Sequence, residues 1–71
     1  MEINGKEIGK RIRTERKRNG LTQAKLAERL GISLNTIGRI EVGIRMPSIE
    51  LFVELAELFE VSLDYLILGK K

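Results

Sequence analysis

Residues 23–42 read QAKLAERLGISLNTIGRIEV, and this stretch decides the fold. Two short amphipathic segments flank Gly31-Ile32-Ser33. Two helices that cross steeply over a tight turn need a small residue where their axes approach, a turn residue that tolerates φ > 0, and apolar residues at the crossing. Ala27 meets the first need and Gly31 the second, while Leu26, Leu30, Ile32, Ile37 and Ile40 meet the third. The spacing predicts helices over about 23–30 and 34–42, joined by that turn.

The same punctuation recurs outward from this unit. Leu21-Thr22 after Gly20, Ile32-Ser33 after Gly31, Pro47-Ser48 and Val61-Ser62 each end in a Ser or Thr ahead of a helical apolar pattern, which marks four helix starts. Three carry a hydrophobic staple, pairing Leu21 with Leu26, Ile32 with Ile37 and Val61 with Leu66. With a first helix over about 6–19 and further ones over about 49–59 and 63–68, the expectation is an all-α, compact five-helix bundle. No linker or repeat interrupts the chain, so residues 1–71 read as a single domain. In the fourth helix Ile49, Phe52, Leu55, Ala56 and Phe59 share an apolar face opposite Glu50, Glu54 and Glu57. That acidic stripe would repel phosphate. In the first helix Lys10, Arg11, Arg13, Lys17 and Arg18 surround Ile8 and Ile12, either as a solvated face or as phosphate contacts.

Composition narrows the function. At 71 residues, only about 60% of the unfolded chain's surface is buried on folding, which leaves little room for a deep catalytic cleft. The chain has no Cys and no His, so disulfides, thiolate or imidazole metal sites and Cys- or His-based nucleophilic catalysis are excluded; no metal or cofactor is expected. No apolar run approaches the roughly 18 residues of a membrane span, and MEINGKEIGK is too polar for a signal-peptide core, which points to a soluble, cytoplasmic protein. The net charge of +3 is unevenly spread: residues 1–45 hold eleven Lys/Arg against five Glu, and residues 46–71 hold two Lys against five acids. The first two thirds are the part suited to a polyanion.

The spacing Gln23, Leu26-Ala27, Leu30-Gly31-Ile32, Ile37, Ile40, followed by Glu41 and Gly43, resembles the helix-turn-helix domains of the phage-repressor and Cro-like (Xre-like) family. GLTQ before it, RMPSIELF after it and VSLDYL near the end extend the resemblance from Ile8 to Leu68. It implies a lambda-repressor-like DNA-binding domain, a transcriptional repressor that binds double-stranded operator DNA as a homodimer; enzyme activity is not expected, since without His or Cys it would rest on lysines or on carboxylates of an exposed helix face. Glu15, at a place normally apolar, and Glu60, in place of the usual helix-ending glycine, depart from the family pattern. The alternative is an antitoxin-type or other protein-binding module with secondary DNA binding.

With Ile37 and Ile40 facing inward, a rotation of about 100° per residue turns Asn35, Gly38, Arg39 and Val42 outward and leaves Leu34 at the edge. Arg39 suits guanine O6/N7 and Asn35 suits adenine N6/N7. Gly38 either lets the backbone approach the groove floor, having no side chain to hold the helix off it, or is merely tolerated, and Leu34 either meets a thymine methyl or supports the turn. Thr22 and Gln23 begin a helix whose N-terminal N–H groups favour phosphate. The resemblance adds phosphate contacts from Gln23 and from the loop holding Gly43 and Arg45, while Thr36 touches either phosphate or a helix neighbour. Arg16, at the margin of the inward face, needs a carboxylate; the resemblance pairs it with Glu41. Tyr65, Ile67 and Leu68 are candidates for the dimer interface, beside a core role for Leu66.

Overall fold

The computed structural model describes residues 3–70 and contains helices α1 (Gly5–Arg18), α2 (Gln23–Leu30), α3 (Leu34–Glu41), α4 (Ile49–Phe59) and α5 (Leu63–Leu68), with no strand among the described residues. Each helix starts on a side-chain cap. The oxygens of Asn4, Thr22, Ser33, Ser48 and Ser62 accept from the N–H three residues on, those of Glu7, Lys25, Thr36, Leu51 and Tyr65. Such a cap contributes about 1 kcal/mol.

Three connections use one device. In Gly20-Leu21-Thr22, Gly31-Ile32-Ser33 and Glu60-Val61-Ser62 the first residue turns left-handed, with φ of 69°, 68° and 57°. The apolar second residue donates its N–H back to Arg16 O, Ala27 O or Ala56 O, and packs against the bundle. The third caps the next helix. One triplet therefore closes a helix and opens another, and the apolar residue serves both ends. Glu60 makes this turn although its Cβ disfavours the conformation.

Eleven apolar side chains form the core: Ile8 and Ile12 of α1, Leu26 and Ala27 of α2, Ile37 and Ile40 of α3, Phe52, Leu55, Ala56 and Phe59 of α4, and Leu66 of α5. The face of α4 differs from its expected one. Ile49 is 81% exposed, because the buried sector centres on Phe52, Leu55 and Phe59 and turns toward Leu51 and Leu58, leaving Ile49 and Val53 outside.

A second small-residue contact joins α1 to α3. A Cβ on Gly9 would run into the backbone carbonyls of Ile40 and Glu41, and one on Gly43 would lie 2.8 Å from Lys6 Cα. The N-terminal half of α1 thus packs backbone against backbone on the end of α3. Ala27 is buried as expected, while the sequence signal for the contact between α1 and α3 was the Gly5/Gly9 pair, one turn apart on α1.

Polar groups tie α5 to α1. Glu15 is 2% exposed and accepts a hydrogen bond from the Tyr65 hydroxyl at 3.1 Å, which is how a carboxylate occupies an inward position. Arg11 donates to Leu66 O at 2.9 Å and Ile67 O at 3.0 Å, closing the C-terminal carbonyls of α5 rather than joining a purely solvated face.

Candidate nucleic-acid interface

The outward side of α3 carries Asn35 and Arg39, both exposed, with Leu34 at 52% and Val42 at 57% exposure. Gly38 lies between them, and a Cβ there would meet nothing within 4 Å. Together with Gln23 these residues line a shallow groove of about 410 Å³. Four of the six are outward positions of α3, Val42 is the C-cap that follows them, and Gln23 comes from the start of α2.

A buried ion pair holds this helix in place. Arg16 Nε donates to Glu41 Oε2 at 2.6 Å and its Nη2 to Glu41 Oε1 at 3.2 Å, while Nη1 donates to Leu21 O at 2.8 Å. Gln23 Nε2 adds a bond to Glu41 Oε1 at 3.0 Å. Arg16 and Glu41 are 7% and 6% exposed. The network locks the C-terminal end of α3 to α1 and to the first turn of α2, so the outward residues stand on a frame rather than on a loop.

The expected phosphate-contacting residues divide by position. Thr22 spends its side-chain oxygen on Lys25 N, and the half-buried Gln23 directs its amide to Glu41. The Gln23 and Ala24 N–H groups, at the start of α2, have no partner among the described residues. Thr36 is half-buried with its hydroxyl 2.8 Å from that of Ser33, and it lines a second groove with Arg45 and Pro47. In the loop after α3, Gly43 N donates to Ile40 O, and Ile44 N and Arg45 N both donate to Arg39 O. The Gly43 N–H is therefore already used, and the glycine is there for its φ of 88° and its contact with Lys6. The exposed Arg45 side chain is what this loop offers an anion.

Tyr65, Ile67 and Leu68 are each half-buried, with Tyr65 and Ile67 packed on the core. Burial raises the Tyr65 phenol above its ordinary pKa of about 10, and the Glu15 carboxylate that accepts its hydrogen bond raises it further. The more exposed apolar side chains lie elsewhere, with Ile44 at 78%, Met46 at 46% and Ile49 at 81%. Ile44 and Met46 lie in a loop, where no periodicity marks them, whereas Ile49 fits the apolar pattern of α4 and yet lies outside its buried sector.

Charge follows the same division. Lys25, Arg29, Arg39 and Arg45 are exposed on α2, α3 and the loop after it, while Glu50, Glu54, Glu57 and Glu60 are exposed on α4 and its end.

A helix-turn-helix family model matches residues 12–66. Among curated relatives, the uncharacterized HTH-type transcriptional regulator YazB of Bacillus subtilis is 43% identical over 58 residues, which cover 82% of this chain and 84% of that protein. The HTH-type transcriptional regulator ImmR, also of Bacillus subtilis, is 40% identical over 63 residues, covering 89% of this chain and 49% of its own length. The chain thus spans about half the length of several relatives it matches. Among solved structures, the P22 c2 repressor in complex with a synthetic operator superimposes with a TM-score of 0.82 at 33% identity, covering 89% of this chain and 96% of that one.

Proposed function

The chain belongs to the helix-turn-helix family, and on that premise we propose that it is a sequence-specific double-stranded DNA-binding transcription regulator of the repressor type. It binds a palindromic operator as a homodimer, with α3 in the major groove. The observation that carries this reading is the outward row of α3, in which hydrogen-bonding and apolar side chains flank a bare backbone on a helix pinned by a buried ion pair.

Asn35 and Arg39 read base edges, each good bidentate contact contributing roughly 1–3 kcal/mol of discrimination. Leu34 and Gly38 complete the base-facing surface. The start of α2 at Thr22 and Gln23 takes one phosphate through its N–H groups, and Arg45, with Thr36 beside it, takes another on the far side of α3. A single recognition helix buries little surface, so two half-sites about 34 Å apart supply useful specificity. Tyr65, Ile67 and Leu68 remain the proposed dimer surface through their solvent-facing parts.

We read residues 1–71 as one DNA-binding domain of a cytoplasmic protein, and as a binding protein rather than an enzyme. No helix among the described residues is long and apolar enough to cross a membrane, and the buried carboxylates of Glu15 and Glu41 are engaged by Tyr65, Arg16 and Gln23. Selection of bound sequences from random duplex DNA tests the reading. One enriched palindrome is expected, with affinity falling steeply as salt rises. No enriched motif together with a flat salt response defeats it.

A further inference from the structure

The two buried carboxylates of the bundle are held very differently. Glu41 accepts hydrogen bonds on both oxygens, two from Arg16 and one from Gln23. Glu15, 2% exposed, accepts a single one, from the Tyr65 hydroxyl to Oε2, and the same oxygen lies 3.8 Å from Nη1 of Arg18, whose side chain is 70% exposed. A cation held so loosely in solvent restrains a carboxylate weakly. Oε1 of Glu15 accepts no hydrogen bond among the described residues, although a carboxylate has about four acceptor sites and is costly to bury without donors. Packing gives no reason for it, since the apolar residue usual at this place in the family would be easier to bury.

Fully enclosed side-chain polar atoms among the described residues all have partners, so Oε1 is not sealed in, and Glu15 lines a groove of about 240 Å³ with Arg18, Val61, Ser62 and Tyr65. The groove lies between α1 and α5, and none of its residues belongs to the outward row of α3. Its volume falls below the roughly 300–1,000 Å³ of pockets for drug-sized molecules, which suits a smaller metabolite. One part of the wall presents a free carboxylate oxygen beside a guanidinium, and another presents Val61 and the Tyr65 ring. Adjacent opposite charges are matched by a ligand that carries adjacent opposite charges in reverse, as an α-amino acid does with both on one carbon.

We propose that the groove between α1 and α5 binds a small α-amino acid with an apolar side chain, its ammonium on Glu15 Oε1, its carboxylate on Arg18 and its side chain against Val61 and Tyr65. The ammonium supplies the donors that Glu15 lacks, and the carboxylate gives Arg18 a partner it meets in solvent. Because the ligand bridges two helices of the folded chain, occupancy also stabilises the fold.

Tyr65 is the chain's one tyrosine and there is no tryptophan, so its fluorescence reports this groove directly. The test titrates the full chain, without DNA, with L-valine, L-leucine and L-phenylalanine, the last followed by thermal unfolding because its ring contributes to the optical signal. At least one is expected to saturate the site with a midpoint below about 5 mM and to raise Tm. Isoamylamine and 4-methylpentanoate, which are leucine without its carboxylate and without its ammonium, should each bind at least about tenfold more weakly than leucine if leucine is the ligand. Glu15→Gln, which keeps an acceptor for Tyr65, should weaken binding about tenfold or more, and Arg18→Met about threefold or more. Arg18 is exposed, so its variant carries the test if Glu15→Gln does not fold. No saturation by any of the three up to about 20 mM overturns the proposal, as does undiminished binding in either folded variant or an amine or acid that matches leucine. Since no DNA is present, these outcomes are independent of whether the chain selects an operator.

Discussion

Gly9 in α1 and Gly38 in α3 carry the same local penalty, roughly 1 kcal/mol of helix stability each relative to alanine, for opposite reasons. At Gly9 a Cβ would strike the carbonyls of Ile40 and Glu41, so the residue is explained inside the fold. At Gly38 a Cβ would meet nothing within 4 Å, so nothing among the described residues explains it. One glycine records a contact the protein makes with itself. The other leaves space on an exposed face, and the reason for that space has to be sought in what the face meets.

The comparison breaks most readily where α1 meets α3. Arg16→Met would leave Glu41 buried with only Gln23 as its polar partner, and a loss of about 3–5 kcal/mol is expected in urea denaturation. Retained stability would mean that the ion pair does not hold α3. Gly9→Ala comes next, at about 2–3 kcal/mol of destabilisation, because the colliding atoms are backbone and yield poorly. Gly38→Ala should do the reverse, raising the stability of the free protein by about 0.5–1 kcal/mol while weakening operator binding. Equal or tighter binding by this variant would place Gly38 beside any tolerated surface glycine and dissolve the distinction.

The smallest effect concerns the other self-contact of α1. Tyr65 is the chain's one tyrosine, so its phenolate absorbance reports this site alone, with a midpoint expected above about 10. Because the folded-state pKa is raised above the unfolded one, its contribution to stability is complete below about pH 10 and is lost as pH rises through the folded value. Tyr65→Phe should remove that alkaline component from the stability profile. A midpoint at the ordinary tyrosine value would show that Glu15 and burial do not restrain the phenol.

How much was legible in the sequence depends on the range of the interaction. Four of the five helix starts could be read because a Ser or Thr caps within three residues, and at three of them a staple also closes within about one turn. Asn4 caps α1 by the same chemistry but has no apolar run immediately after it to mark the start. The outward row of α3 was legible from a 100° rotation once Ile37 and Ile40 were taken as inward. The face of α4 was legible only approximately, since Ile49 belongs to the apolar pattern yet lies beyond the sector that neighbouring helices cover. Arg11 looked like part of a basic surface, and Glu15 stood at a normally apolar place with no visible partner, because their partners, the end of α5 and Tyr65, lie some fifty residues away.

The sequence by itself determined where helices begin and end, which side of α3 turns inward, and that the basic part of the chain precedes the acidic part. These follow from hydrogen bonds and periodicities that act within one or two turns. The tertiary structure decided which small residues let backbones touch, how Arg16 and Gln23 converge on Glu41, and that the Gly43 N–H is already used. Those outcomes depend on the rotation and approach of whole helices, which are set by how all the side chains pack together and not by any short stretch of the chain.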